Sequence, residues 1–150
     1  MAILRDRPYG NFNFLVDLGT GDTSSVQAGF SEVVLPEASV EVIEYRSGNL
    51  KENGFIKLTG IEHYTNLVLK RGVIGSLDLY QWYNEVRNGS QNALRTVTVQ
   101  LLSEDHTAVV LAWKFMRARP VKYQFAPLDA EGKHILVEYL ELAFERMEME

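Results

Sequence analysis

The longest connection in this chain constrains its fold more than any other feature. Residues 40–46 and 64–70 have strand patterns, and about seventeen residues between them form neither a tight turn nor a helix. Two residues are enough to join neighbouring strands, whereas a connection this long within a compact domain is usually functional or disordered. This connection mixes turn-forming residues with apolar ones. We therefore expect residues 46–63 to form a projecting arm through which the protein completes its fold against copies of itself.

The composition predicts one globular domain, residues 1–150, with 46% apolar and 23% charged residues. The absence of cysteine excludes disulfides, thiolate metal sites and cysteine nucleophiles. A formal net charge of −5 argues against gripping a phosphate backbone. No apolar run reaches the ~20 residues that span a bilayer, so we expect no membrane insertion by this chain alone. The first twelve residues lack the apolar stretch of a signal peptide, so we do not expect Sec export.

Strand patterns dominate the sequence. Alternating apolar residues or β-rich runs predict strands at 11–18, 26–35, 40–46, 64–70, 96–102, 108–115, 120–125 and 135–145. Eight antiparallel strands favour a mainly β fold, a sandwich or barrel. Little in the sequence protects the edges of such a sheet, and pairing those edges with neighbouring copies would satisfy their backbone groups.

One segment has helical period, and it predicts a single α-helix at about 77–88. Its apolar face lies at i, i+3, i+4 and i+7 and consists of Leu79, Trp82, Tyr83 and Val86, which we expect to face the core. Ser76 is the expected N-cap, and Asp78 complements the helix dipole in the first turn. Arg87 and Gly89 suit the C-terminal end.

Five segments, in order along nearly the whole chain, resemble one known family. They read PYGNFNFLVDLG, VEVIEYRSGN, IKLTGIEHYTNLVLKRGVIGSLDLYQWYNEV, WKFMRARPVKYQF and EYLELAFERME. The most specific part is Tyr64-x-Asn66 and Leu69-Lys70-Arg71-Gly72 followed by Trp82. These segments resemble the tail tube proteins of contractile phages and the inner tube subunits of contractile injection systems. One departure is Leu58-Thr59-Gly60, where many relatives carry Leu-Pro-Gly, and it makes the turn less rigid.

The resemblance implies a structural protein without enzymatic activity or cofactor. Such subunits form hexameric rings in which each subunit contributes four strands to a 24-stranded barrel around a wide channel. The rings stack into a tube through the extended hairpin arm. The implied partners are further copies of the chain, a contractile sheath, baseplate and terminator proteins, and DNA or protein effector cargo that passes through without sequence-specific binding. The implied location is the bacterial cytoplasm during assembly, then a phage tail or a cytoplasmic, membrane-anchored or released injection particle.

Particular residues follow from this interpretation. The arm residues expected to make ring-to-ring contacts are Tyr45, Arg46, Leu50, Phe55, Ile56 and Leu58. We expect residues 47–58 to order only on assembly, because they contain two glycines and have few local partners. Strand alternation suggests that Glu44, Asn66 and Lys70 face the lumen, whereas Ile43, Leu67 and Leu69 face the protein interior. The net charge suggests an acidic channel wall.

Two other functions remain open from the sequence. A monomeric β-barrel that binds a ligand would need a closed cavity and inward-facing apolar residues on every strand. A hydrolase on a β scaffold would need a nucleophile beside a base, and no such constellation stands out. The three histidines, His63, His106 and His134, are far apart in the sequence, so a metal or general-base site is not expected.

Overall fold

A computed structural model describes residues 1–150 as two layers of antiparallel strands with one helix and a projecting hairpin. The elements in chain order are β1 Phe14–Asp17, β2 Glu32–Val34, β3 Ala38–Tyr45, β4 Ile56–Tyr64, β5 Leu67–Gly72, α1 Asp78–Arg87, β6 Arg95–Leu102, β7 Val109–Phe125, β8 Val137–Ala143 and β9 Arg146–Met149. Short 3-10 turns lie at Val26–Ala28 and Gln91–Ala93. The prediction of a mainly β, antiparallel fold with one helix is confirmed.

A seven-stranded sheet in the order β1-β6-β7-β8-β5-β2 forms the body, and β9 pairs with β7. The first half of β7 pairs with β6 and β9, and its second half pairs with β8. We call β1, β6, β9 and the first half of β7 the first layer, and the second half of β7, β8, β5 and β2 the second layer. The outer edges, β1 and β2, are not hydrogen-bonded to each other, so the sheet of one protomer stays open.

The core lies between the two layers and follows the period of two expected for strands. In β5, Leu67 and Leu69 are fully buried, and β8 contributes Leu140 and Leu142 from the second layer. Val97, Val99 and Phe115 meet them from the first layer. A change from any of these leucines to a charged residue would place an unpaired charge in this core.

Helix α1 covers one end of the core. Leu79 and Trp82 are buried, Val86 packs against the core cluster, and the half-buried Tyr83 contacts the ring of Tyr123 on β7. The Trp82 indole donates a hydrogen bond to the Ala93 carbonyl at 2.6 Å, which satisfies its one polar atom. The helix begins one residue later than expected, with Leu77 at its cap, and it ends before Gly89, whose positive φ suits the helix terminus.

A buried ionic network fixes the start of α1 to the sheet. Arg71 on β5 is 1% exposed and Glu138 on β8 is 2% exposed, and their side chains approach to 2.6 Å. The guanidinium also donates two hydrogen bonds to Asp78, at 2.8 and 3.1 Å, and one to the Gln27 carbonyl at 2.7 Å. The Tyr123 hydroxyl donates to Glu138 at 2.5 Å. One arginine therefore links both strands to the helix and to the first 3-10 turn.

The network sets the charge states of its members. Burial alone would raise the pKa of Asp78, but the hydrogen bonds from Arg71 and Ser76 outweigh it and hold that pKa below its ordinary value. Burial and the hydrogen bond to Glu138 raise the pKa of Tyr123, so the phenol stays a donor. Because the pKa of Asp78 is depressed, its stabilising contribution is present above the ordinary aspartate pKa and is lost as the pH falls through the lowered value.

Several predicted strand boundaries are wrong. Residues 26–35 were expected to form one strand, but only Glu32–Val34 does, because the Gln27 carbonyl binds Arg71 and holds the preceding turn out of the sheet. The predicted strands 108–115 and 120–125 are one strand of 17 residues. Pro120 does not end it, because it lies at an irregularity in the pairing with β8, where a missing N–H is tolerated. The predicted strand 135–145 is shorter than expected, and β9 follows it.

We predict that Glu138→Ala lowers the free energy of unfolding by about 3 kcal/mol, because it removes one of the two carboxylates that pair with the buried Arg71 and leaves the Tyr123 hydroxyl without its acceptor. Urea unfolding of dilute protomer, followed by tryptophan fluorescence, measures this change. Glu148→Ala on β9 is the control, since Glu148 lies at the surface and should leave the urea midpoint nearly unchanged. An equal shift for both variants would contradict a structural role for the network.

Candidate assembly interface

The projecting arm consists of β3, β4 and the residues that join them, and it continues two strands of the body. β2 pairs with β5 up to Val34↔Val68, and β3 pairs with β4 from Ala38↔Tyr64. Each strand advances by four residues between these two pairs, so the register does not slip. At the junction the Glu37 N–H donates to the Thr65 hydroxyl at 2.7 Å, and the Thr65 N–H donates to the Glu37 carbonyl at 3.0 Å. The arm is therefore the outer half of one long hairpin that is anchored in the core.

The arm differs from the irregular segment expected from the sequence. Residues 56–63 were placed in an unstructured connection, but they form most of β4. Ile56, Lys57 and Leu58 pair with Tyr45, Glu44 and Ile43 within the protomer, so the expectation that residues 47–58 order only on assembly is wrong for these three. The length of the irregular segment was overestimated because the strand resumes directly after the turn, with apolar residues at the alternating positions 56 and 58. Only residues 46–55 at the tip lie outside the paired strands.

One face of the arm is apolar and has no partner in the protomer. Residues directly opposite each other in an antiparallel pair share a face. Ile43 lies opposite Leu58, and Tyr45 lies opposite Ile56, which places all four side chains on one face. Each of them is about half exposed, between 48% and 55%. The other face carries Glu44 opposite Lys57 and Val42 opposite Thr59, so it is the more polar of the two and the arm is amphipathic. The expectation that Ile43 faces the protein interior is wrong, because its strand has left the body.

A bulge and a glycine shape the arm near its base. The pairing of β3 with β4 shifts between Val40 and Val42. A Cβ at Gly60 would lie 3.0 Å from the Glu41 carbonyl oxygen, so only glycine allows this approach without displacement. The expectation of a turn at Leu58-Thr59-Gly60 is wrong, because all three residues lie within β4, where Thr59 pairs with Val42.

The tip of the arm is organised by Arg46. Its guanidinium donates to the carbonyls of Leu50 at 3.3 Å and Glu52 at 3.4 Å, and the Leu50 N–H donates to the Ser47 carbonyl. Phe55 is 59% exposed, and Leu50 is half-buried. A two-stranded ribbon of this kind is marginally stable alone in water, and both of its edges are open. The arm thus has the composition of a surface that is completed by another molecule.

The three residues expected on the channel wall do not lie on one surface. Glu44 is on the arm, whereas Lys70 is on β5 in the second layer, and Asn66 lies in the short link before that strand. Asn66 donates to Glu141 at 3.1 Å, and Lys70 lies 3.9 Å from Glu32. Asn66, Lys70 and Glu141 lie on the outward face of the second layer, opposite the buried Leu67 and Leu69.

The charges on this outward face are balanced. Lys70 lies opposite Glu32 on the neighbouring strand, and Lys122 lies opposite Glu141. The acidic wall inferred from the net charge is therefore not found on this face. Between the charges lie uncharged residues such as Gln124 and Tyr139, which are opposite each other.

The total surface of the protomer is large for its mass. A compact monomer of 17.1 kDa has an accessible surface of about 7,800 Å². The accessible surface of this protomer is 10396 Å², which is roughly 2,600 Å² more than the scaling relation gives for a compact monomer. Only 19 of the 150 residues are buried, and many large apolar side chains are exposed. The excess has the size of a substantial protein–protein interface.

The largest concavity, about 480 Å³, is a cleft between the two open edges of the sheet. Phe14, Val99 and Trp113 line it from the first layer, and Val33 and Leu35 line it from the chain around β2. A ligand-binding barrel would instead need a cavity enclosed by its own strands. The cleft marks the place where the sheet of one protomer does not close.

The remaining candidate groups do not converge. His63 is on the arm, 3.7 Å from Glu41, whereas His106 and His134 lie in separate loops. The structure contains no cluster of three or more His, Asp or Glu side chains that could hold a metal ion. None of its helices is both long and apolar enough to cross a membrane.

Sequence reasoning missed two features. One is the buried Arg71–Glu138 pair, because a charged residue in a strand is normally assigned to a solvent face, although Arg71 follows Leu67 and Leu69 at the same spacing of two. The other is the tethered N-terminal segment, in which Arg5 forms an ion pair with Glu104 at 2.5 Å and lies over the Tyr9 ring. The hydrogen bond from Arg5 lowers the pKa of Glu104 to about 2.

Comparison with known proteins identifies the family of this chain. A family model described as "T4-like virus tail tube protein gp19" matches residues 10–148. No curated protein sequence matches the chain. Among solved structures, a chain of the sheath-tube complex of an extracellular contractile injection system, PVC, in its extended state is 25% identical, with a TM-score of 0.82. The alignment covers 97% of this chain and 93% of that one.

Two further structures have the same fold. A chain of the PVC sheath/tube terminator in its extended state is 26% identical, with a TM-score of 0.78, over 97% of this chain and 98% of that one. A chain of the tube terminating cap of the anti-feeding prophage is 24% identical, with a TM-score of 0.82, over 100% of this chain and 95% of that one. With the family model spanning nearly every residue, this chain belongs to the T4-like virus tail tube protein gp19 family and is a structural tube subunit.

Proposed function

We propose that this protein forms hexameric rings that stack into the inner tube of a contractile phage tail or contractile injection system. The observation that supports this proposal most strongly is the amphipathic arm, whose apolar face is about half exposed and has no partner in the protomer. The excess accessible surface and the two open edges of the sheet add to it. Pairing of β2 with the free edge of the second half of β7 in the next of six copies would join the four strands of each second layer into a 24-stranded barrel and cover backbone groups that one protomer leaves free.

The arm supplies the contact between rings. Tyr45, Ile56 and Leu58 share its apolar face, and Leu50 and Phe55 lie near its tip. Burying a large apolar side chain fully is worth about 1.5–3 kcal/mol, so a half-exposed one can add roughly 1 kcal/mol when covered. The contribution of six arms between two rings is then large enough to order a stack that no single arm could hold.

The outward face of the second layer lines the lumen. Asn66 and Lys70 lie on it, and its charges are paired between neighbouring strands. A wall with balanced charges and uncharged polar residues between them attracts neither DNA nor a charged protein strongly. This suits a conduit that cargo passes through without sequence-specific binding. Glu44 belongs to the arm instead and lies outside this wall.

The implied partners are a contractile sheath around the tube and baseplate and terminator proteins at its ends. The similar structures include a sheath-tube complex, a baseplate and a terminator, which supports these partners. The proposed role requires no catalysis and no cofactor. Assembly takes place in the bacterial cytoplasm, and the finished tube is part of a phage tail or of a cytoplasmic, membrane-anchored or released particle.

The purified protein should form rings about six subunits in size and stacked tubes. Negative-stain electron microscopy with mass photometry across a concentration series tests this directly. If only monomers are seen at every protein and salt concentration, also after sheath or baseplate proteins are added, the proposal is wrong. A monomer would instead favour the ligand-binding alternative.

Removing the apolar face of the arm should abolish stacking while the protomer stays folded. In Tyr45→Ser with Ile56→Ser, two directly opposed side chains of that face are lost. The matched control is Glu44→Ser with Lys57→Ser, the adjacent opposed pair on the other face of the same strands. We expect rings without tubes for the first variant and tubes for the control, as seen by electron microscopy, with unchanged circular dichroism for both. Normal tubes from the first variant would show that this face does not connect the rings.

The two faces of the second layer should respond differently to a new charge. Leu67→Lys places an ammonium group in the core and should prevent folding, at a cost of several kcal/mol, whereas Asn66→Lys adds a charge at the channel wall and should permit tubes. Circular dichroism measures folding, and electron microscopy measures assembly. Cargo passage through Asn66→Lys tubes should be slower. If Leu67→Lys assembles and Asn66→Lys does not, the proposed orientation of the wall is reversed.

A further inference from the structure

Two Asn-Gly pairs occur in this chain, Asn53-Gly54 and Asn88-Gly89, and the structure places them in different surroundings. An asparagine that precedes glycine can lose its side-chain amide without an enzyme, because the glycine nitrogen can attack the asparagine Cγ and no Cβ hinders the approach. The reaction needs an exposed asparagine, a mobile backbone and a glycine N–H that is free to lose its proton. The two pairs differ in the last two of these conditions.

The pair at the tip of the arm meets all three conditions. Asn53 lies within residues 46–55, which fall outside the paired strands, and both Asn53 and Gly54 are exposed. No hydrogen bond joins the Gly54 N–H or the Asn53 side chain to another group of the protomer. A ribbon of two strands is marginally stable alone, so its tip moves readily in the free subunit.

The second pair lies at the end of helix α1, which holds it in place. Asn88 is exposed like Asn53, so exposure does not distinguish the two sites. The Asn88 N–H donates to the Asn84 carbonyl, and the Gly89 N–H donates to the Val86 carbonyl, both at 3.0 Å. The Gly89 nitrogen is therefore engaged, and the helix end must open before this nitrogen can attack the Asn88 side chain.

We propose that Asn53 is a site of spontaneous deamidation in the free subunit and that Asn88 is protected. Hydroxide removes the proton of the Gly54 N–H, and the nitrogen forms a bond to the Asn53 Cγ. The C–N bond of the side-chain amide breaks, and ammonia leaves with a proton from water. Water then opens the five-membered imide at either of its carbonyls and gives aspartate or isoaspartate. The product carries one more negative charge, next to Glu52 at the arm tip.

Assembly into a tube should slow this reaction, because the arm tip is the part of the subunit that stacking orders between rings. This second step rests on the proposed function, whereas the modification of the free subunit does not. A tip held against a neighbouring ring rarely brings the Gly54 nitrogen to the Asn53 side chain. Aspartate and isoaspartate at position 53 therefore mark subunits that remained outside a tube.

Peptide mapping by mass spectrometry tests the modification directly. The subunit is kept at mildly alkaline pH, at a concentration below that at which tubes form. We expect conversion about tenfold faster at Asn53 than at Asn88, the ratio that one additional hydrogen bond to break would give. In urea, where α1 is unfolded, the two sites should react at similar rates. Equal rates at the two sites in the native protein, or no conversion at Asn53, would overturn the proposal.

Gly54→Val isolates the chemistry at the arm tip. Gly54 does not have a positive φ, and a Cβ on it would have no atom within 4 Å, so the fold accepts the change. The branched side chain hinders the attack and should slow conversion at Asn53 about tenfold or more, while the rate at Asn88 stays the same. Conversion as fast as in the unmodified protein would show that the Gly54 nitrogen is not the attacking group.

The same measurement on tubes separates the two steps. Slower conversion at Asn53 in tubes than in free subunits supports protection by stacking, and an equal rate would overturn that step and leave the modification site. If the unmodified protein never forms tubes, the proposed function is wrong, whereas the rates in the free subunit still decide whether Asn53 is a deamidation site.

Discussion

One uninterrupted register connects the arm to the core, and the assembly surface depends on it. From Glu32↔Lys70 in the body to Val40↔Glu62 in the arm, no residue is inserted on either strand. A one-residue slip anywhere in this hairpin would turn every later side chain to the opposite face. The fully buried Leu67 and Leu69 set the register in the body, because only one alternation places both in the core. The bulge between Val40 and Val42 then re-aims the outer part of the arm, where Ile43, Tyr45, Ile56 and Leu58 share one face.

The buried arginine network has a different role from the leucines beside it. Arg71 continues the inward face of β5 at a position where another leucine would fill space but could not hold a helix terminus. Its bidentate contact with Asp78 fixes the first turn of α1, and its contact with Glu138 fixes the second strand. Such a network adds little net stability compared with apolar packing, but removing one partner is costly. We infer that it specifies where the helix docks against the sheet.

The sequence was informative wherever local pattern and final environment agree. The alternation at residues 64–70 agrees with the burial of Leu67 and Leu69 in β5, and the helical period at 77–88 agrees with the burial of Leu79 and Trp82, whereas Tyr83 and Val86 are only half-buried. The sequence pattern was misleading where tertiary contacts determine the end of a strand. Residues 26–28 leave the sheet because of a hydrogen bond from Arg71, and Pro120 is accommodated by an irregularity that only the pairing of β7 with β8 creates. β4 was missed because its residues are exposed on both faces, so no core imposes a clear alternation on them.

The assembly interface, too, could be predicted only where it depends on local sequence and not on strand pairing. An arm and its apolar residues could be expected from the length and composition of one connection. The face on which those residues lie could not, because it depends on a pairing shifted by a bulge.

The pairing of β3 with β4 within the protomer bears on how a tube can be both stable and able to grow. An arm that remained unpaired until assembly would lose conformational entropy with every ring added. The paired strands β3 and β4 have met most of that cost within the protomer, which leaves chiefly the tip, residues 46–55, to be ordered on docking. In the proposed tube, six such arms between two rings would bind together at a high effective concentration, so each contact can be weak alone while the stack is stable. A modest apolar face on each arm is then sufficient to hold one ring on the next.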